Sequence, residues 1–232
     1  MTSSTYPVER SKKNASTLTL RKRVLFIFLA CCVQMLYLPT SERTTGGIEP
    51  KLSIDIFPIW PIWILPYVLC YILWFSALVW IILKTEDRSF RSFFAACILT
   101  FGIGVTTFFF FPTYVRAATL EGNDIFTVSL RMMHETWGRY AAFPSGHVYI
   151  TALLVLFFSR WYPRYKLLWT MLLVMISLST LFTGQHYILD VIGGYVVAWV
   201  GFRFGLWWAG FYAPQKRPGK GSRKRMPSSS TN

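Results

Sequence analysis

Three ionisable side chains in the C-terminal half of the chain have the types and spacing of a catalytic group: His147, His186 and Asp190. His186 and Asp190 are four residues apart, so they share one face of a helix and can touch. A carboxylate that accepts from one imidazole nitrogen leaves the other nitrogen unprotonated, as a nucleophilic or basic histidine requires. A structural histidine at a helix end would have the same spacing, so the pair alone does not establish catalysis.

The segment Phe143-Pro144-Ser145-Gly146-His147 could complete such a site. Ser145 can cap the helix that follows, and Gly146 lets backbone N–H groups approach a ligand closely. A helix N-terminus with such groups favours an anion such as phosphate. His147 would then lie beside the bound phosphate and could protonate a leaving oxygen. An ordinary helix cap with an interfacial histidine is the alternative.

Long apolar tracts must position these residues. The chain has 232 residues, of which 53% are hydrophobic and only 15% are charged, whereas a soluble domain carries about 25% charged residues. A membrane-spanning helix needs roughly 17–25 mostly apolar residues. The sequence therefore predicts an all-α, polytopic membrane protein with a bundle of six transmembrane helices. The predicted spans are 24–38, 60–83, 93–111, about 145–161, 167–182 and 187–208.

The distribution of Lys and Arg predicts the topology. If both termini are cytosolic, 18 of the 24 basic residues lie on the cytosolic side, five lie on the opposite side and one lies inside the last span. By the positive-inside rule, the loops 39–59, 112–144 and 183–186 then face away from the cytosol. The candidate catalytic residues lie at the same end of the bundle, so the sequence predicts an active site at the extracytoplasmic interface.

The net charge of +14 is concentrated in two terminal tails and in short cytosolic loops. We expect a basic, disordered cytosolic tail at 1–23, a six-helix membrane domain at 24–212 and a second basic, disordered tail at 213–232. The tails lack the aromatic interleaving typical of nucleic-acid binding, so we expect no nucleic-acid partner. Anionic lipid headgroups are the expected partners of the tails, at about 1 kcal/mol per basic residue near the surface.

Together the two motif segments resemble the type 2 phosphatidic acid phosphatase superfamily. Residues 144–147 (Pro-Ser-Gly-His) match the central motif of that family, and residues 183–190 (Thr-Gly-Gln-His-Tyr-Ile-Leu-Asp), followed by Val-Ile-Gly-Gly, match its last motif. The resemblance covers about residues 60–210. Vanadium haloperoxidases, the soluble relatives of the family, share these motifs, but the apolar spans of this chain argue against them.

The resemblance implies a role for each motif residue. His186 is similar to the nucleophile that forms a phosphohistidine intermediate, Asp190 to the residue that orients it, and His147 to the general acid that protonates the leaving group. The backbone at Ser145 and Gly146 would hold phosphoryl oxygens. No metal or other cofactor is implied, because arginines and backbone N–H groups supply the positive charge. The four cysteines form no CxxC pair and also indicate no metal site.

The chain departs from the family pattern at two cationic positions. The first motif, a lysine followed six residues later by Arg-Pro, has its best counterpart at Arg116, but Ala117 follows it and Phe109 occupies the lysine position. In the last motif, Thr180 stands where the family has an arginine. We therefore expect Arg116 and backbone donors, together with Arg139, to hold the phosphate.

The predicted 112–144 loop would cover this site. Arg131, His134 and Glu135 match no motif of the family, and we expect them to be solvated loop residues. Arg139 precedes His147 by eight residues and could be either a phosphate ligand or a loop charge.

The sequence favours a lipid phosphate phosphohydrolase that cleaves a phosphomonoester or diphosphate of a membrane lipid. The segment Phe-Pro-Thr at 111–113, with Arg116, is similar to the branch that contains inositol phosphorylceramide synthases. A lipid phosphotransferase that passes a phosphoryl headgroup to an alcohol such as inositol is therefore one alternative, and a non-catalytic transporter or scaffold is another. We expect a bacterial inner membrane or an organelle membrane such as that of the ER or Golgi, with a periplasmic or lumenal active site. The sequence makes no prediction of oligomeric state.

Overall fold

The computed structural model describes residues 17–42, 46–116, 118–136 and 140–211. Within these ranges all regular secondary structure is helical, and two isolated bridges, Ile48 with Thr113 and Tyr114 with Tyr140, are the only β-type contacts. The all-α prediction is therefore confirmed. The predicted terminal tails lie mostly outside the described ranges.

Eight α-helices make up the described part of the chain. They are α1 (Leu20–Met35), α2 (Leu38–Ser41), α3 (Ile64–Lys84), α4 (Asp87–Phe110), α5 (Ile125–Thr136), α6 (Gly146–Trp161), α7 (Lys166–Phe182) and α8 (Ile188–Trp208). One turn of 3₁₀-helix precedes α3 at Pro61–Trp63, and another precedes α7 at Pro163–Tyr165. The α5 helix lies within the segment 112–144, which the sequence predicts to be a loop.

Five helical segments in the described ranges are long and apolar enough to cross a membrane, so the chain is an integral membrane protein. They are Leu20–Ser41, Pro61–Lys84, Asp87–Phe110, Pro163–Phe182 and Ile188–Trp208. The sixth predicted span corresponds to α6, whose 16 residues extend about 24 Å at 1.5 Å per residue, less than the roughly 30 Å of a hydrocarbon core. The bounds of α6 agree with the prediction, but the count of six spans is not confirmed.

The α6 helix lies at the centre of the bundle. It packs against α8, α7, α3 and α4, and Tyr149, Leu153 and Phe157 on successive turns are fully enclosed. Because other helices rather than lipid surround most of α6, its length is set by its neighbours more than by the thickness of the bilayer.

The first helix begins earlier than the sequence predicted. It starts at Leu20, four residues before the predicted span, and so includes part of the predicted tail. Arg23 lies in this extra turn and donates to the carbonyl of Thr85 at 2.7 Å and to the carboxylate of Asp87 at 2.7 Å. The guanidinium is therefore bound at the α3–α4 connection, and its partners allow the first turn to form.

Small residues allow α8 to approach α4 closely. Gly201 and Gly205 are spaced as in the small-xxx-small pattern of packed membrane helices. A Cβ atom on Gly201 would overlap the hydroxyl of Thr100, and one on Gly205 would overlap the carbonyl oxygen of Ser92. Any larger side chain at these two positions would push the two helices apart.

The two ends of the bundle have different chemistry. At one end Arg88 donates to the carbonyls of Ala209 and Gly210 at the C-terminus of α8, and the Arg160 guanidinium lies over the Phe211 ring. At the other end lie the N-termini of α6 and α8, which carry both sequence motifs. The motif residues therefore share one face of the protein, opposite the arginines of the helix ends.

Candidate active site

The His186–Asp190 pair forms where the chain enters α8. Asp190 lies in the first turn of the helix and is fully buried. Its Oδ2 accepts the backbone N–H of Tyr187 at 2.9 Å and lies 3.3 Å from Nδ1 of His186. A carboxylate can only accept, so Nδ1 carries the proton and Nε2 of His186 keeps its lone pair. The predicted contact between His186 and Asp190 is present.

Two features hold the loop before α8 in place. Gly184 has a φ of 68°, in the left-handed region that favours glycine, and this lets the N–H groups of Gln185 and His186 both donate to the carbonyl of Thr180. The second feature is Asp55, whose Oδ1 accepts the N–H of Ile188 at 2.9 Å. Sequence reasoning missed Asp55, because nothing in its local sequence indicates that it caps a helix more than 130 residues away.

The N-terminus of α6 is joined directly to this loop. Ser145 caps α6 through its hydroxyl, which accepts the N–H of Val148 at 3.4 Å. The N–H of Ser145 donates to the backbone carbonyl of Asp190 at 2.9 Å. Gly194 permits the approach, because a Cβ atom there would lie 2.8 Å from Cβ of Val148 and 3.0 Å from the carbonyl oxygen of Ser145. The two motifs therefore form one hydrogen-bonded unit.

The first turn of α6 also offers donors to a ligand. Among the described residues, the N–H groups of Gly146 and His147 have no acceptor, as expected at the start of a helix. Such groups, together with the positive end of the helix dipole, favour an anion. Gly146 also lines the cavity that contains both histidines.

His147 is held by aromatic side chains from α3. The hydroxyl of Tyr71 lies 3.0 Å from its Nε2 and the hydroxyl of Tyr67 lies 3.4 Å from its Nδ1. The Trp74 ring lies 5.6 Å from the imidazole between centroids. These three residues have the spacing i, i+4, i+7 and therefore share one face of α3. Sequence reasoning missed them, although polar aromatic side chains at this spacing in an apolar span were the available signal.

Both histidines face one cavity of about 420 Å³. The ring centroids of His147 and His186 are 5.9 Å apart. None of the described lining residues is Lys or Arg. The lining comes from α1 and α2 (Gln34, Met35, Tyr37, Leu38, Ser41, Glu42), α3 (Tyr67, Tyr71, Trp74), α4 to α5 (Phe108, Val115, His134, Thr136), the approach to α6 (Tyr140, Ala141, Ala142, Gly146, His147, Ile150) and the last motif (Gly184, Gln185, His186).

The family model described as the PAP2 superfamily matches residues 62–204, which contain α3 to α7, most of α8 and both motifs. The chain belongs to the PAP2 superfamily. No curated protein matches the chain. Membership in the PAP2 superfamily indicates phosphatase-type activity on a phosphorylated substrate, and the paired histidines of the cavity have the chemistry that such a reaction needs.

Arg116, the first predicted phosphate ligand, is not among the residues that line the cavity. Its guanidinium donates to Oε2 of Glu49 at 3.1 Å, and its side chain is 75% exposed. The other oxygen of Glu49 accepts the hydroxyl of Tyr187, next to the Asp190 turn. Arg116 therefore lies beside the site and is paired with a carboxylate. Arg139, the second predicted ligand, lies outside the described residues.

The α5 helix covers one side of the cavity. Asp124 begins it and accepts from Thr127, and hydrogen bonds from the Thr127 hydroxyl and N–H lower the pKa of this carboxyl below its usual range. His134 on α5 donates from Nε2 to the carbonyl of Thr183 at 2.9 Å and lines the cavity. The expectation of a solvated loop residue is therefore wrong for His134. Arg131 donates to backbone carbonyls of the preceding loop.

Proposed function

We propose that this protein is a lipid phosphate phosphohydrolase that works through a phosphohistidine intermediate. One observation carries the proposal: His186, held through Nδ1 by the buried carboxylate of Asp190, shares a single cavity with His147 at a ring separation of 5.9 Å. This arrangement provides an oriented nucleophile and a separate proton donor, which are the two groups that covalent phosphoryl transfer needs.

In the first step, the Nε2 lone pair of His186 attacks phosphorus and the P–O bond to the lipid alkoxide breaks. The electron pair of that bond goes to the leaving oxygen, which takes a proton from His147. The products are a phosphohistidine and the lipid alcohol. The carboxylate of Asp190 stabilises the positive charge that develops on the attacking imidazole.

In the second step, His147 is neutral and accepts a proton from water as the water oxygen attacks phosphorus. The P–N bond breaks, its electron pair returns to Nε2 of His186, and inorganic phosphate is released. His147 is then protonated again, so one residue acts first as an acid and then as a base.

The phosphate carries negative charge that the site must balance. The N–H groups at the start of α6, at Gly146 and His147, supply part of this balance without any metal ion. We propose that the exposed Arg116 supplies more by exchanging its partner Glu49 for a phosphate oxygen, and that Arg139 also contributes. No group of three or more His, Cys, Asp or Glu side chains that could hold a metal occurs among the described residues.

The position of the cavity favours a lipid substrate. It lies at the ends of apolar helices, and α3 carries exposed apolar side chains such as Leu65, Leu69 and Ile72 on its outer surface. A phosphate headgroup could enter the cavity while its tails stay in the bilayer. With both termini in the cytosol, as the basic residues favour, the site would be periplasmic or lumenal.

A lipid phosphotransferase is the second candidate. Its first step is the same as that of the phosphohydrolase. In its second step an alcohol, instead of water, attacks the phosphorus of the phosphohistidine. The volume of about 420 Å³ supports this candidate, because a cavity in the range of roughly 300–1,000 Å³ typical of small-molecule sites leaves room for an alcohol acceptor beside the phosphate.

The test uses the purified full-length chain in detergent with excess EDTA. The substrates are phosphatidate, a polyprenyl diphosphate, phosphatidylglycerol phosphate and a phosphosphingolipid, each with and without inositol. Release of free phosphate that His186→Ala abolishes is the expected result. Formation of inositol phosphate, as inositol replaces water at the phosphohistidine, would favour the transferase. If no substrate is turned over, the proposal is overturned and a non-catalytic scaffold becomes the remaining interpretation. Activity that is recovered only on adding Mg²⁺ would overturn the metal-free mechanism.

A further inference from the structure

The α3 helix contacts both ring nitrogens of the candidate general acid. Tyr71 Oη lies 3.0 Å from Nε2 of His147, and Tyr67 Oη lies 3.4 Å from Nδ1. The first distance is well inside the hydrogen-bond range, and the second is near its outer limit. Neither tyrosine belongs to a sequence motif, and neither takes part in the two steps of the proposed reaction.

A general acid with two ring nitrogens must present the correct one to the leaving oxygen. The imidazolium form of His147 carries a proton on each nitrogen and therefore needs two acceptors. A tyrosine hydroxyl can accept at one nitrogen, so that the substrate oxygen becomes the acceptor at the other. The shorter contact identifies Tyr71 as the fixed partner, while the longer contact to Tyr67 is the one that a substrate oxygen replaces at lower cost.

We propose that Tyr71 is the positioning residue of the general acid, a role that rests on the proposed function. Its hydroxyl accepts the Nε2–H of protonated His147 and directs Nδ1–H at the leaving oxygen. As the P–O bond breaks, the Nδ1 proton passes to that oxygen, and the electron pair of the N–H bond stays on the ring. The neutral imidazole keeps its Nε2 proton, which stays hydrogen-bonded to the hydroxyl of Tyr71. Its Nδ1 can then accept a proton from water.

The surroundings keep this geometry fixed. Trp74 donates its indole N–H to the hydroxyl of Thr151 at 2.9 Å, and that hydroxyl donates to the backbone carbonyl of His147 at 2.7 Å. The same face of α3 therefore contacts α6 at both the side chain and the backbone of His147. Since Trp74 and Thr151 hold the two helices together, removing one tyrosine hydroxyl should change the direction of the imidazole proton without separating the helices.

The test compares Tyr71→Phe with the wild type, His147→Ala and Tyr195→Phe. Tyr195 is a matched control, because its hydroxyl is hydrogen-bonded to Ser177 at 2.8 Å within the membrane helices but does not line the cavity. The rate of phosphoenzyme formation is measured in single turnovers with phosphatidate and with 4-nitrophenyl phosphate. Nitrophenolate is a good leaving group and needs little protonation.

We expect Tyr71→Phe to slow the first step by roughly 10–100-fold with phosphatidate, as one hydrogen bond to a charged group predicts, and by less than about threefold with 4-nitrophenyl phosphate. His147→Ala should show the same preference more strongly, and Tyr195→Phe should show none. Equal rates for Tyr71→Phe and wild type, or equal losses on both substrates, would overturn the role of Tyr71 and leave the proposed function standing. Absence of any phosphoenzyme in the wild type would overturn both.

Discussion

The imidazole rings of His147 and His186 lie 5.9 Å apart between centroids, although 39 residues separate them in the chain. The hydrogen bond from Ser145 N–H to the carbonyl of Asp190 connects their two helix ends directly. An acid on one helix and a nucleophile on the other therefore keep a fixed separation that depends on α6 and α8 remaining packed together.

The carboxylate of Asp190 should matter for chemistry more than for folding. Asp190→Asn keeps the shape of the side chain and an oxygen for the Tyr187 N–H, but it removes the anion that orients His186. The analogous change in the serine-protease triad costs about 10⁴-fold in kcat, and we expect a loss of comparable order in phosphate release. Asp55→Asn is the control, because Asp55 caps α8 and should affect the thermal midpoint without a comparable loss of activity. Equal activity losses in the two variants would contradict the role of Asp190.

The close packing of α4 and α8 predicts a contrast between two glycines. Gly201→Ala introduces a Cβ atom that would overlap Thr100, and overpacking of this kind typically costs about 1–3 kcal/mol. Gly102→Ala, in α4, places its Cβ in open space and should be neutral or slightly stabilising, since Ala favours helix over Gly by about 1 kcal/mol. Thermal unfolding in detergent, followed by tryptophan fluorescence, measures the difference. A higher thermal midpoint for Gly201→Ala would contradict the packing described.

The sequence predicted the helical fold and the contact between His186 and Asp190 because both depend on short-range patterns. Runs of apolar residues predict the helices, and the i, i+4 spacing predicts the contact between His186 and Asp190. Asp55, Tyr71 and His134 were missed because their roles depend on which distant segments meet. Tyr71 contacts a residue 76 positions away and His134 one 49 positions away. The spacing of the α3 aromatic residues indicates a shared polar face, but it does not identify the residue that this face contacts.

The ion-pair partner of Arg116 could not be predicted for a related reason. Arg116 was chosen as the best counterpart of the first family motif, but a carboxylate from the segment before α3, Glu49, contacts its guanidinium. The start of the first helix was also predicted too late, because Arg21, Lys22 and Arg23 look like tail residues until the Asp87 partner of Arg23 is known.

The pairing of Arg116 with Glu49 gives a test of phosphate binding. If Arg116 exchanges Glu49 for the substrate, Arg116→Gln should raise KM several-fold, whereas Glu49→Gln should leave the guanidinium available and lower KM. Steady-state kinetics on the best lipid phosphate from the panel measure both. Exposed ion pairs contribute only about 0–1 kcal/mol to stability, so both variants should remain folded. An unchanged KM in Arg116→Gln would remove Arg116 from the site.

The positive-inside distribution of charge predicts the side on which the active site opens. With the protein expressed in a bacterial inner membrane, a cysteine in place of Glu121, in the exposed segment before α5, should react with a membrane-impermeant thiol reagent in intact cells. A cysteine in place of Arg164, between α6 and α7, is the matched control and should react only after lysis. The unmodified chain gives the background from its four native cysteines. The reverse labelling pattern would invert the proposed orientation.

The most direct test of the proposed mechanism is to trap the covalent intermediate and locate its phosphate. The full-length protein in detergent is mixed with ³²P-labelled lipid phosphate, quenched within one turnover and digested, and the labelled peptide is sequenced by mass spectrometry. The mechanism predicts an acid-labile, base-stable phosphate on His186, absent in His186→Ala and accumulating in variants that slow the second step. A phosphate on any other residue, or full turnover by His186→Ala, would contradict the assignment of His186 as the nucleophile.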